Sequence, residues 1–141
     1  MKPRISLVTL GVKDLERAVA FYRDGLGWPT EGIVGQDIEY AAVAFFDLQS
    51  GLKLALWPQA SLAHDAHLAA DGAHNPTAFA LAYNVNSEAE VDSAFAQAVR
   101  AGAKSVVHPV KKDWGGYAGY FQDPDGHLWE VAWNPAWHIA E

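Results

Sequence analysis

The sequence predicts an α+β fold made of two tandem βαβββ units, and three observations predict it. A strand-then-helix pattern occurs twice, offset by 73 residues from Asp14 to Ser87. Each occurrence leads on to a strand, a glycine turn and another strand, with the turns at Gly51 and Gly126, 75 residues apart. The 141 residues suffice for one duplicated domain but are few for two independent ones. The expected layout is a single domain over residues 1–141, with one module to about residue 58, a connector over about 59–76 and a second module from about 77 to 141.

In the first unit, Val8, Leu10 and Val12 alternate as a half-buried strand does. Helical spacing then takes over from Asp14 to Leu26, with Leu15, Ala18, Val19, Tyr22 and Leu26 on one face. Asp14 is the expected N-cap, Glu16 favours the positive end of the helix dipole, and Gly25 and Gly27 supply the stop. The unit closes with the strand Ala44–Asp47, the turn at Gly51 and the strand Leu52 to Trp57. Leu52, Leu54 and Leu56 are expected to cover the helix, which turns Lys53, Ala55 and Trp57 to the other face.

The second unit repeats the first. Phe79, Leu81, Tyr83 and Val85 alternate before a helix carrying Val91, Ala94, Phe95, Ala98 and Val99, which stops at Gly102. Ser87 and Glu90 have the spacing of a capping box. The unit ends with Gly119 to Gln122, a turn at Gly126 and a strand from His127 to Trp133. Trp129, Val131 and Trp133 point to the helix and Glu130 points away from it. Between the units, residues 58–76 are alanine-rich and are expected to be part helix.

Composition narrows the function classes. Half the residues are hydrophobic, yet no apolar run approaches the ~20 residues of a membrane span. A net charge of -7 repels phosphate backbones and anionic membrane surfaces, so neither is an expected partner. Without cysteine there is no disulfide, thiolate nucleophile or thiolate metal site. The opening MKPRISLVTL lacks the long apolar core of a signal peptide, so a cytoplasmic location is expected.

The run Leu10-Gly11-Val12-Lys13-Asp14-Leu15-Glu16-Arg17, then Phe21-Tyr22 and Gly25-Leu26-Gly27, resembles the opening of many vicinal-oxygen-chelate modules (the glyoxalase, bleomycin-resistance and dioxygenase superfamily). The closing Asp123-Pro124-Asp125-Gly126-His127-Leu128-Trp129-Glu130 resembles that family's C-terminal hairpin. The resemblance implies that the modules form a curved, half-open mixed sheet around a cavity, in which four inward side chains often hold a divalent metal. It also implies a homodimer. Carried over by motif and by the internal repeat, the four slots are Leu7, Ala55, Ala80 and Glu130. Leucine and alanine cannot coordinate a cation, and a catalytic divalent ion normally takes about three protein ligands. The family's metal site is therefore expected to be absent, and no cofactor is expected.

Glu130 is the candidate catalytic residue, as a general base or a group that binds a cation. The plainer alternative is a relic that hydrogen-bonds its neighbours. Asp113-Trp114-Gly115-Gly116-Tyr117-Ala118-Gly119-Tyr120 sets glycines beside large aromatics, a pattern that lets a ligand or a second backbone come close. The ligand-contact candidates are thus Trp57, Asn84, Trp114, Tyr117, Tyr120 and Glu130. Asp123, Pro124, Asp125 and Gly126 read as turn chemistry, and His127 as a turn or edge residue. His64, Asp65, His67, Asp71 and His74 lie on the connector, where His64 and His67 would share a helical face as a surface metal site or, more plainly, a solvated one. His108 and His138 have no evident partner and read as structural or exposed.

The favoured function is stoichiometric capture of a small organic molecule, with stacking on Trp57 or Trp114 and orientation by Glu130 and Asn84. The rival is a lyase, isomerase or dioxygenase of the same superfamily. In a metal-independent form, Glu130 would move a proton and Tyr117 or Tyr120 would stabilise an oxyanion, which calls for a donor or titratable group within reach of Glu130. A third reading, an interaction module with a filled cavity, is disfavoured by the small side chains at Ala55 and Ala80.

Overall fold

The computed structural model describes residues 1–70 and 75–140. It divides into two compact units, Met1–His74 and Asn75–Glu141.

In the first unit β1 (Leu7–Val12) runs into α1 (Leu15–Val19), followed by β2 (Thr30–Val34), β3 (Val43–Asp47), β4 (Lys53–Pro58) and α2 (Gln59–Ala66). The second contains β5 (Leu81–Val85), α3 (Glu88–Arg100), β6 (Lys104–Lys111), β7 (Tyr117–Gln122) and β8 (Leu128–Trp133). The sheet orders are β1-β4-β3-β2 and β5-β8-β7-β6, so the expected βαβββ duplication is present in topology. In each sheet the first strand pairs parallel to the last, and the other pairings are antiparallel. The fold is α+β, with two mixed, unclosed four-stranded sheets.

The helix starts follow the expected chemistry. Asp14 caps α1 by accepting from the Arg17 amide at 3.0 Å. Ser87 accepts from the Glu90 amide at 3.2 Å, but the Glu90 carboxylate reaches one residue further back than a standard box and accepts from Asn86 N. α1 widens after Val19 into a π-helical segment, Ala20–Gly25, in which the Leu26 amide donates to the Phe21 carbonyl. Phe21, outside the predicted apolar stripe, is buried together with Tyr22.

Each helix covers one face of its own sheet. α1 packs on β2, β3 and β4, burying Ala18 and Val19 with Leu10, Phe46, Leu54 and Leu56. In α3 the buried stripe is Val91, Phe95 and Ala98, against Phe121, Trp129 and Val131 of β7 and β8. Each large apolar side chain so buried contributes about 1.5–3 kcal/mol. Val99, expected on this face, is exposed on its flank. Tyr83, also expected beneath the helix, is exposed too, because β5 is an edge strand and α3 lies mainly over β7 and β8; Phe79, likewise exposed, precedes β5.

The edge strands β2 and β6, at the side of each sheet away from β1 and β5, are the strands of each βαβββ unit to which the sequence assigned no residues. Both are bulged: the β2 register shifts between Thr30 and Ile33, and that of β6 shifts on either side of Val107. The β6 irregularity carries Pro109 across Gly119. A Cβ at Gly119 would stand 2.8 Å from Pro109 N and 2.9 Å from the Val107 carbonyl, so only glycine admits this backbone approach.

The connector forms α2, but His67 does not extend it. It takes the left-handed C-cap conformation (φ 56°), so it does not share a helical face with His64. His64 stacks instead on Tyr40, with ring centroids 3.9 Å apart. Asp71 and His74 lie outside the described residues. His108 packs against Phe95, and His138 is exposed. No helix among the described residues is long and apolar enough to cross a membrane.

Candidate functional site

Alternation along β8 decides what faces away from α3. Trp129 and Val131 are buried on the helix side, so Glu130 and Ala132 occupy the open face. Cross-strand pairing sets Ala82 on one side of Glu130 and Tyr120 on the other. The small Ala82 leaves room, and the Tyr120 hydroxyl donates to Glu130 Oε2. The Tyr120 phenol is raised above its ordinary pKa, first because it donates to that carboxylate, then because of burial and the carboxylate's charge. The Lys112 ammonium lies 5.9 Å from the centre of the Tyr120 ring.

One row further along, Asn84 pairs with Ala132. These two and Glu130 form the floor of an open cleft of about 310 Å³, whose remaining lining is Trp114, Asn134 and Trp137. Both indoles are exposed, Trp114 by 54% and Trp137 by 58%. Trp114 is placed by a turn in which Gly115 N donates to the Lys112 carbonyl and Lys112 N to that of Gly116. Its ring lies against Gly116, where a Cβ would be 1.8 Å from the indole. The close approach expected of this glycine-rich run is thus made by the neighbouring tryptophan.

Of the ligand-contact candidates, Asn84, Trp114 and Glu130 come together in this cleft, with Tyr120 bonded to Glu130. Tyr117 does not join them. It lies on the helix face, opposite Trp133, and its hydroxyl donates 2.8 Å to Asp92 of α3, which raises its pKa. Tyr117 and Tyr120 are three residues apart on one strand, so they point to opposite faces. Trp57 belongs to the first unit, where its indole N–H donates to the Tyr40 carbonyl.

Asn134, Ala132 and Trp137 were not singled out from the sequence. The Asn134-Pro135 pair signals the turn that places Trp137: its amide donates to the Asn134 carbonyl, and the Ala136 amide donates to Asn134 Oδ1.

The four family slots supply one donor side chain. Leu7 is exposed and pairs with Lys53, two residues from the row in which Ala55 sits between Thr9 and Phe45. Ala80 precedes β5, and in the second unit only Glu130 carries a coordinating group at its slot. Among the described residues, no three His, Asp or Glu side chains group as a metal site would require. The slots do not fit a divalent ion.

His127 is buried in the β7–β8 turn. There the Asp123 carboxylate accepts from the Asp125 and His127 amides at 2.9 Å each, which is the turn role expected of this run. A larger recess of about 560 Å³ lies on the first unit, lined by residues including Thr30, Val34, Phe45 and the Asp47–Lys53 ion pair. That pair is solvent-exposed and the ions satisfy one another. The candidate site is therefore the smaller cleft, where the Glu130 carboxylate, the Asn84 amide and two indoles converge and the Tyr120 phenol bonds to that carboxylate.

Fold and cleft together define a duplicated βαβββ protein with an open cleft on the second sheet. Residues 4–131 match the model of the Glyoxalase/Bleomycin resistance protein/Dioxygenase superfamily, and the chain belongs to that superfamily. A glyoxalase-related enzyme from Fulvimarina pelagi is 35% identical, with a TM-score of 0.83 over 99% of this chain and 94% of that one. A glyoxalase/bleomycin resistance protein/dioxygenase from Nocardioides (23% identity, TM-score 0.73, 99% and 91% covered) shares the fold. So does a lactoylglutathione lyase from Agrobacterium tumefaciens (23%, 0.68, 99% and 100%). No curated protein matches the sequence.

Proposed function

We propose that this protein captures a small, flat organic molecule carrying a cationic or hydrogen-bond-donating group. The observation that carries the proposal is the sharing of one cleft by the Trp114 and Trp137 indoles and the Glu130 carboxylate. The indoles offer flat apolar surface, the carboxylate attracts a cation or accepts a hydrogen bond, and Asn84 adds an amide that can both donate and accept. The cleft is at the small end of ligand pockets, which run to about 300–1,000 Å³, so the ligand is of metabolite or fragment size. No metal takes part in this reading.

The test is a tryptophan-fluorescence titration with planar organic cations, 9-aminoacridine as the reference probe, on wild type and Glu130→Gln. Saturable one-to-one quenching is expected, weakened about 10–100-fold in Glu130→Gln, the usual worth of a hydrogen bond to a charged group. Quenching that does not saturate, or that Glu130→Gln leaves unchanged, would sink the proposal.

A second reading rests on the Tyr120–Glu130 hydrogen bond. A carboxylate with a phenol in reach can take a proton from a carbon acid. Once protonated, it accepts less strongly from Tyr120, whose O–H is then available to the developing oxyanion. This is a metal-independent proton transfer of the lyase or isomerase type. Wild-type protein should then speed deuterium exchange beside the carbonyl of dihydroxyacetone, and Glu130→Gln should not. Equal exchange by the two proteins excludes it.

A further inference from the structure

The tail that follows β8 is tied back to the start of α3. Asn86 Nδ2 donates to the Ile139 carbonyl and the Ile139 amide donates to Asn86 Oδ1, both at 2.9 Å, so one side-chain amide pairs with a peptide unit as a neighbouring strand would. Asn86 is well suited to this. Its own amide is occupied by Glu90 at 3.0 Å, which leaves the side chain for the tail. At the other end the segment is fixed by the turn at Asn134, through the Ala136 and Trp137 amides. Between these two anchors stands Trp137, one wall of the cleft.

Two fixed ends matter because a segment outside the sheets lacks a strand ladder to hold it, and a side chain on it can form a wall only where other backbone hydrogen bonds fix it. Little apolar packing does so here, since Trp137 is largely exposed and Ile139 only half-buried. The hydrogen bonds to Asn86 and Asn134 are what define its place.

We propose that residues 134–139 form a clasp that completes the cleft, with Trp137 as a ligand-contact residue that selects flat ligands and Asn86 as its positioning residue. This rests on the reading of the cleft as a ligand site. Asn86 lies outside the lining, so its influence on binding passes through Trp137.

The experiment pairs amide hydrogen exchange with 9-aminoacridine titration on the full chain. Variants are Asn86→Ala, Trp137→Ala, the double variant, and Ile139→Pro, which deletes the N–H that Asn86 accepts while leaving both sheets intact. In wild type the Ile139 amide is expected to be protected, and in Asn86→Ala to exchange at the rate of a free peptide. Trp137→Ala should weaken the probe about tenfold, the scale of one aromatic contact. Asn86→Ala and Ile139→Pro should weaken it similarly, and the double variant no further than Trp137→Ala alone. An unprotected Ile139 amide in wild type overturns the clasp. Additive losses in the double variant, or unchanged binding in Trp137→Ala, overturn the assigned roles. A protected amide with no probe binding by wild type leaves the clasp standing and overturns the reading of the cleft.

Discussion

The Tyr120 hydroxyl donates to Glu130 Oε2 across the β7–β8 pairing, placing a phenol and a carboxylate side by side on the sheet face opposite α3. The bond holds only while Tyr120 is protonated, and accordingly its pKa is raised above 10.0. A raised pKa in the folded state means a contribution to stability that is complete below pH 10 and is lost as pH climbs through the folded value. Absorbance titration of tyrosinate should therefore show Tyr120 ionising late in wild type and nearer the ordinary phenol range in Glu130→Gln. The alkaline loss of stability should begin at lower pH in wild type than in Tyr120→Phe once that variant's lower baseline is subtracted. Identical tyrosinate curves for wild type and Glu130→Gln would dissolve the pair.

Gly116 is the residue on which the Trp114 ring rests. An added methyl would meet the indole at 1.8 and 2.0 Å and the Trp133 carbonyl at 2.6 Å, so Gly116→Ala has to expel the ring and disturb β8. Overpacking of this kind costs about 1–3 kcal/mol. The expected outcome is a lower Tm, an altered tryptophan emission and loss of 9-aminoacridine quenching. Trp114→Ala should lose the quenching with a smaller fall in Tm. A Gly116→Ala protein with wild-type emission would show that the ring does not lie there.

The sequence exposed those parts of the fold whose period was regular. β1, β4, β8 and α3 alternate or repeat cleanly between capping residues, and the offset between Asp14 and Ser87 disclosed the duplication. β2 and β6 were illegible because Gly32 and Pro109 sit at bulges, where alternation breaks and the outer edge has no partner to demand it. Tyr83 shows a different limit. Its alternation is correct, but pattern alone does not say that an edge strand receives little of the helix. In the site, Glu130 and Asn84 were legible through parity and Trp114 through its glycines. Parity would also have excluded Tyr117, since residues three apart on a strand face opposite ways. Trp137 lies in no periodic element, and only the Asn134-Pro135 turn marked it.

The two capping residues occupy equivalent positions in the repeat, and each accepts from a backbone amide of the first turn. Asp14→Ala and Ser87→Ala should each lose about 1 kcal/mol. Ser87→Ala has a second readout, because α3 begins beside Asn86. If the capped start of α3 fixes Asn86, protection of the Ile139 amide should fall in Ser87→Ala and remain in Asp14→Ala. Chemical denaturation and hydrogen exchange measure the two effects, and equal protection in both variants would separate the cap from the clasp.

Superfamily membership raises a question of metal that the donor set answers chemically. A divalent site of the family's kind would need Leu7, Ala55 and Ala80 to coordinate, and a branched alkyl and two methyl groups have no lone pair to offer. Glu130 is the remaining slot, and its Oε2 already accepts from Tyr120. One carboxylate on an open face holds Mg²⁺ or Zn²⁺ too weakly to survive dialysis, since dedicated sites gather about three or four ligands. Untagged protein dialysed against EDTA and then buffer should carry less than stoichiometric metal by ICP-MS, and 9-aminoacridine should bind with the same affinity before and after. Stoichiometric metal that resists EDTA and disappears in Glu130→Gln would instead mean that Glu130 gathers partners beyond the four slots, and the metal-independent reading of this cleft would fall.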